Sequence, residues 1–303
     1  MNRGVLAPGS RRGAEAMEQA AVKGRSLWDD AFRRLVGNRA AIASVIVLGL
    51  LVAAAIVGPY LTPYRYDQIN KNDVWMPPLV NGHLLGADSL GRDLLARLLI
   101  GLRVSLAIGV VATAVSLVIG VAWGATAGFL GGVVDELMMR FVDVLYSLPF
   151  IFFVILLMVV FGRNFILMFL AIGAVEWLTM SRIVRGQTLS LKQKEFIEAA
   201  RAAGLSQTAI ITRHIIPNLL GPVVVYVTLT IPAVILAESF LSFLGMGVQE
   251  PMTSLGTLIS NGNQDRDLAP WLLVFPSIVM VVTLMAFNFI GDGLRDAIDP
   301  KDR

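Results

Sequence analysis

The chain has 303 residues, of which 56% are apolar and only 16% charged, with a mean hydropathy of +0.71 and a formal net charge of +3. A soluble domain carries roughly 25% charge, so this composition excludes an ordinary water-soluble globule. The absence of cysteine excludes disulfides and thiolate metal ligands, and the two histidines, His83 and His214, are too far apart in sequence to form a local metal-binding motif.

Residues 1–25 hold Gly, Ala and Arg without an apolar run and read as a flexible cytoplasmic tail, not a cleaved signal peptide. Residues 26–39 set Leu27, Trp28, Phe32, Leu35 and Val36 among charges. That pattern predicts a short amphipathic helix at the membrane surface, capped by Ser26, or else a polar lead-in to the first span. The first span is uncharged from 40 to 58, about 28 Å as a helix, and Gly58-Pro59 is expected to end it. A polar outer loop follows at 60–101.

The second span is predicted at 102–128. Gly120, Gly124 and Gly128 fall on one face, a spacing that suits close helix packing, although glycine is common in membrane helices anyway. A short turn carries Asp135 and Glu136. The third span is expected at 139–161 with a bend at Pro149, and the fourth at 164–180, interrupted by Glu176. Only residues 162–164 separate these two, yet one unbroken helix through both would overshoot a bilayer, so a hairpin is preferred. The fifth span is placed at 219–241, with Pro222, Pro232 and Glu238 inside or near it. The sixth is placed at 271–290, with Pro276. The expected fold is an all-α polytopic membrane protein with six transmembrane helices: residues 1–39 as tail and surface helix, then a six-helix membrane unit over 40–303.

Six spans put both termini on one side. Eighteen of the 25 lysines and arginines then fall on that side, in the tails, at Arg140 and between Arg182 and Arg213. The excess predicts cytoplasmic termini and a cytoplasmic loop at 180–217, with 60–101 and 242–270 outside.

The cytoplasmic loop combines helix formers with polar residues. A helix is expected over 192–203, a break at Gly204, a second helix capped by Ser206, and its end at Pro217. Phe196, Ile197, Ala199, Ala200 and Ala203 give the first helix an apolar, small-residue surface suited to docking in a partner's groove. Glu198 and Arg201 lie at its edge, where they contact that partner or simply pair with each other or with Lys194 on a wet face.

The run EAARAAGLSQTAIITRHIIP, 198–217, resembles the signature loop of permeases in ATP-binding-cassette importers: a Glu-Ala-Ala start, a glycine four residues after the second alanine, and a proline near the end. Ile216 stands where leucine often precedes that proline. HLLGADSLGRDLLARLLIGLRVSL at 83–106, ESFLSFLGMGVQEP at 238–251 and FNFIGDGLRDAIDPKDR at 287–303 are similar to the C-type permease of peptide importers. RSLWDDAFRRLVGNRAA at 25–41 resembles the oligopeptide branch in particular. The resemblance covers about 25–303. It implies the type I importer permease fold in a bacterial inner membrane. It also implies one half of a peptide pathway, a second homologous permease subunit, two ATP-binding subunits and an extracytoplasmic peptide-binding protein. Glu198, Ala199, Ala200 and Gly204 would belong to the element that couples to the ATPases. Related permeases carry dipeptides, glutathione-like peptides or nickel chelates, and the residues do not separate these cargoes.

No phosphate loop of the Gly-x-x-x-x-Gly-Lys-Ser/Thr type occurs, so ATP and Mg are expected only in partner subunits, and no cofactor, nucleic acid or enzymatic activity is expected of this chain. Asp143, Glu176 and Glu238 would be costly facing lipid; they line the aqueous path or serve structure, through partner arginines or the headgroup boundary. Asp88, Arg92 and Asp93 are expected to lock an outer segment by ion pairing. An ion-coupled secondary carrier is the reading from another class, but no inverted repeat supports it.

Overall fold

The computed structural model describes residues 27–161 and 165–298. The tail at 1–25, the Ser26 cap, the turn at 162–164 and residues 299–303 lie outside the described residues. What is described is helical, with two isolated β-bridges and no strand.

Helix α1 (Leu27–Gly37) is the expected amphipathic helix, and Asn38 starts α2 (Arg39–Leu61) by accepting from the Ala40 and Ala41 amides at 3.1 and 3.2 Å. Proline was expected to stop α2 at 58–59, but the helix runs on to Leu61. The Thr62 amide still reaches the Gly58 carbonyl, so Pro59 removes only one intrahelical donor. Helix α3 (Leu94–Leu130) begins eight residues before the predicted second span, because Asp93 caps it by accepting from the Ala96 amide at 2.7 Å.

The predicted third span is not one bent helix. Helix α4 (Gly132–Ser147) stops at Leu148-Pro149, and α5 (Phe150–Phe161) starts anew. The residue before a proline is pushed out of helical backbone, and Leu148 is extended. Helix α6 (Phe165–Leu191) overruns the predicted end at 180 by three turns. The loop then holds α7 (Glu195–Ala202) and α8 (Gln207–Ile210). Pro217 does not end α8. A widened π turn, Ile211–Ile215, carries the chain straight into α9 (Ile216–Phe243), in which Pro217 sits in the first turn. The missing proline amide would have bonded the Arg213 carbonyl, and that carbonyl falls inside the widened turn. Helix α10 (Leu255–Gln264) is a short helix not foreseen, and α11 (Trp271–Ile298) runs two turns past the predicted end of the sixth span.

Among the described residues, four helices are long and apolar enough to cross a membrane: α2, α3, the continuous helix from Gln207 to Phe243, and α11. The chain is a multi-pass membrane protein. Its densest pairing is α3 against α6. A Cβ at Gly124 would stand 2.3 Å from the Ser181 carbonyl oxygen, while those at Gly120 and Gly128 would stand 2.6 Å from Met180 and 2.9 Å from the Arg185 carbonyl. The small-residue face is therefore a packing seam where two backbones touch. It fixes the base of the loop that follows α6.

Candidate functional site

The loop between α6 and α9 is ordered by burial on one side only. Ile197 has no exposure and Ala200 only 7%; both pack with Phe129, Val184, Ile210 and Ile215. Burial of an isoleucine side chain contributes about 2–3 kcal/mol, enough to hold an eight-residue helix that would not persist alone. Glu195, Phe196, Glu198, Ala199, Arg201 and Ala202 face outward. The four residues predicted as a group thus divide. Glu198, Ala199 and Gly204 are exposed, while Ala200 anchors the helix from beneath.

The turn after α7 explains the glycine. The Leu205 amide bonds the Ala200 carbonyl at 3.2 Å and the Gly204 amide bonds that of Arg201 at 2.9 Å, a Schellman closure. That closure needs left-handed backbone, and Gly204 has φ +77°. No atom lies within 4 Å of a Cβ built there, so the requirement comes from the backbone alone. Ser206 then accepts from the Ala209 amide at 3.3 Å, as its capping position predicts. Glu198 forms no ion pair among the described residues, neither with Arg201 nor with Lys194. Arg201 instead lies over the Phe129 ring, 5.2 Å from its centroid.

Two pairs brace the loop's root, and sequence spacing could not find them because their members lie far apart along the chain. Arg185 grips Asp135 with two hydrogen bonds of 2.6 and 2.7 Å, joining α6 to α4. Arg182 donates to Asp143 at 2.8 Å and covers the Tyr146 ring at 4.1 Å. That second pair is partly exposed on the chain's surface.

The three membrane carboxylates are not brought together. Asp143 is in the pair just described. Glu176, half-buried on α6, makes no hydrogen bond or ion pair among the described residues. Glu238 is fully buried near the end of α9, where one oxygen accepts from Ser242 and Ser254, each at 2.6 Å. It ties α9 to the start of α10, and Ser105 completes the joint by accepting from the Leu255 amide at 3.0 Å.

The segment before α3 carries the expected charge lock with added members. Arg92 bonds Asp88 at 2.8 Å and Glu250 at 2.9 Å, linking the loop before α3 to the loop after α9. Arg97, without exposure, lies 3.5 Å from Asp88. His83 is buried between Asp93 at 2.8 Å and Asp73 at 3.3 Å, under the ring of Tyr64. Neither Asp73 nor Glu250 was foreseen, since nothing local marks a long-range partner.

This arrangement combines an exposed helix face with internal braces. Residues 117–303 match the model of the binding-protein-dependent transport system inner membrane component, and residues 26–78 match that of the N-terminal transmembrane domain of oligopeptide transport permease C. The chain belongs to this family of importer permeases, in the C-type peptide-permease branch. It is 54% identical to the oligopeptide transport system permease protein OppC of Escherichia coli K12, covering 97% of this chain and 99% of that one. Identity to the protein of the same name from Haemophilus influenzae is 52%, over 96% and 94% of the two chains. The dipeptide transport system permease protein DppC of Bacillus subtilis is 40% identical, over 99% and 92%. In fold, the chain matches an inward-facing structure of the MetNI methionine ABC transporter with a TM-score of 0.55 at 18% identity, over 67% of this chain and 96% of that one.

Proposed function

We propose that this chain is one half of the membrane pathway of an ATP-driven oligopeptide importer, seated in the bacterial inner membrane with both termini in the cytoplasm. The observation that carries the reading is α7: a helix pinned from beneath by Ile197 and Ala200, leaving Glu198 and Ala199 bare and closed by the Gly204 turn. An exposed small-residue ridge on a fixed support suits insertion into a groove of an ATPase subunit. ATP and Mg belong to two such subunits, and the closing motion is delivered through α7 into α6 and α9.

The remaining two spans are assigned to α4 with α5, and to α6. Helix α5 has 12 residues, about 18 Å, too short to cross alone. Helices α4 and α5 expose large apolar side chains beside a few charges such as Glu136 and Arg140: Val133, Leu137, Phe152 and Val159 are each more than 60% exposed in the single chain. Such a surface fits a second, homologous permease subunit. Delivery by an extracytoplasmic peptide-binding protein accords with outer segments that are locked to one another by ion pairs. Glu238 is assigned to the internal brace, and Asp143 and Glu176 to positions open to the pathway or the partner.

The test uses the reconstituted complex. Ala199→Arg places a long cation on the bare ridge without touching the fold, and is expected to abolish peptide-stimulated ATP hydrolysis and uptake. Unchanged coupling in an assembled complex sinks the role of α7. A dipeptide cargo is the second reading, favoured by the 40% identity to DppC. Competition of di-, tri- and longer peptides for uptake separates the two.

A further inference from the structure

Beside α7 lies a cavity of about 410 Å³ between the end of α3 and the start of α8. Phe129, Leu130, Leu205 and Ile210 form its apolar walls, and Lys192 and Arg201 supply two cations. Both cations approach the same Phe129 ring, at 5.9 and 5.2 Å from its centroid. Neither has a carboxylate partner among the described residues, in a chain where Arg92, Arg97, Arg182 and Arg185 all do. The pocket therefore carries net positive charge held at a fixed place, with the amide of Gln207 on the same wall.

Depth decides what fills it. The second span predicted from the sequence is uncharged from 104 to 128, enough for one hydrocarbon crossing. Phe129 follows directly, at the boundary between hydrocarbon and headgroups. A ligand there must present an anion to Lys192 and Arg201 and apolar atoms to Phe129 and Ile210. Resting on the orientation proposed above, which puts this pocket at the inner leaflet, we propose that it holds the phosphate headgroup of an anionic phospholipid, the glycerol and first methylenes against its apolar walls. A carboxylate from an ATPase subunit fits less well. The neighbouring outward face of α7 carries Glu195 and Glu198, so a groove made for it is basic where it meets this loop.

The experiment uses the complete complex in nanodiscs of phosphatidylethanolamine mixed with either phosphatidylglycerol or phosphatidylcholine, with retained lipid weighed by native mass spectrometry. Wild type is expected to keep phosphatidylglycerol and not phosphatidylcholine. Retention should fall about fivefold for each cation removed in Lys192→Gln and Arg201→Gln, and return in Lys192→Arg. Equal retention in the doubly substituted complex overturns the proposal. So does release of the ATPase subunits from that complex in phosphatidylcholine, which assigns the cations to a partner's carboxylate. Protection of Lys192 from amine acylation by inorganic phosphate alone, as strong as that by phosphatidylglycerol, also overturns it, since the apolar walls then contribute nothing. Oligopeptide uptake by the wild type, measured in proteoliposomes of the same lipids, checks the importer reading separately. Its failure leaves the lipid result standing.

Discussion

The two ends of the molecule treat charge in opposite ways. At one end Asp73, His83, Asp88, Arg92, Asp93, Arg97 and Glu250 are turned toward one another and mostly buried. At the other end Glu195, Glu198, Lys192 and Arg201 are left without carboxylate or cation partners among the described residues. Charges satisfied within the chain set its shape, while charges left open are available to something else. The charge lock should therefore matter to stability and the loop to transport, and substitutions can separate the two.

The largest loss of stability is expected from Asp93→Ala. It removes the cap of α3 and strands a buried His83, together costing about 2–4 kcal/mol. A fall in the thermal midpoint of the detergent-solubilised chain measures it. Arg92→Ala should cost about 2 kcal/mol, less than a wholly buried pair because Glu250 is half exposed. On the loop side, Gly204→Val meets no neighbour and should cost only the left-handed backbone, about 1–2 kcal/mol, but it should remove most peptide uptake by misplacing α7. Glu198→Gln is the sharpest case. Its effect on the midpoint should lie within about 0.5 kcal/mol, while peptide taken up per ATP hydrolysed falls. A midpoint drop comparable to that of Asp93→Ala would erase the distinction between the two ends.

Four of the six predicted spans were legible because apolar runs are local. The spans at α2, α3, α9 and α11 all stand where uncharged stretches predicted them, and the Gly204 break and Ser206 cap follow from single residues. Their ends were misjudged where capping overrode hydropathy. Asp93 starts α3 early, and α6 continues through Arg182 and Arg185 because Asp143 and Asp135 receive their charges. Prolines misled in both directions. Pro149 divides a helix that was expected only to bend, whereas Pro59 and Pro217 are absorbed, the latter by one widened turn. Helix α10 could have been suspected from Ser254, which accepts from the Thr257 amide as a cap. The hidden part was pairing at long range: Glu250 with Arg92, Ser254 with Glu238, and the unequal burial of Ala199 and Ala200. No local pattern encodes which distant residue arrives.

The helix from Gln207 to Phe243 has 37 residues, about 55 Å, and it is uninterrupted. One end rises from the turn after α7, and the other is clamped by Glu238 to the joint with α10. It behaves as a strut. A tilt of about ten degrees about one end carries the other through about 10 Å. What flexing there is concentrates at the π turn and at Pro222 and Pro232, the places where its hydrogen-bond ladder is irregular. Under the coupling role proposed for α7, a push at one end of this helix would become displacement at the other by leverage, with no relay of side chains in between.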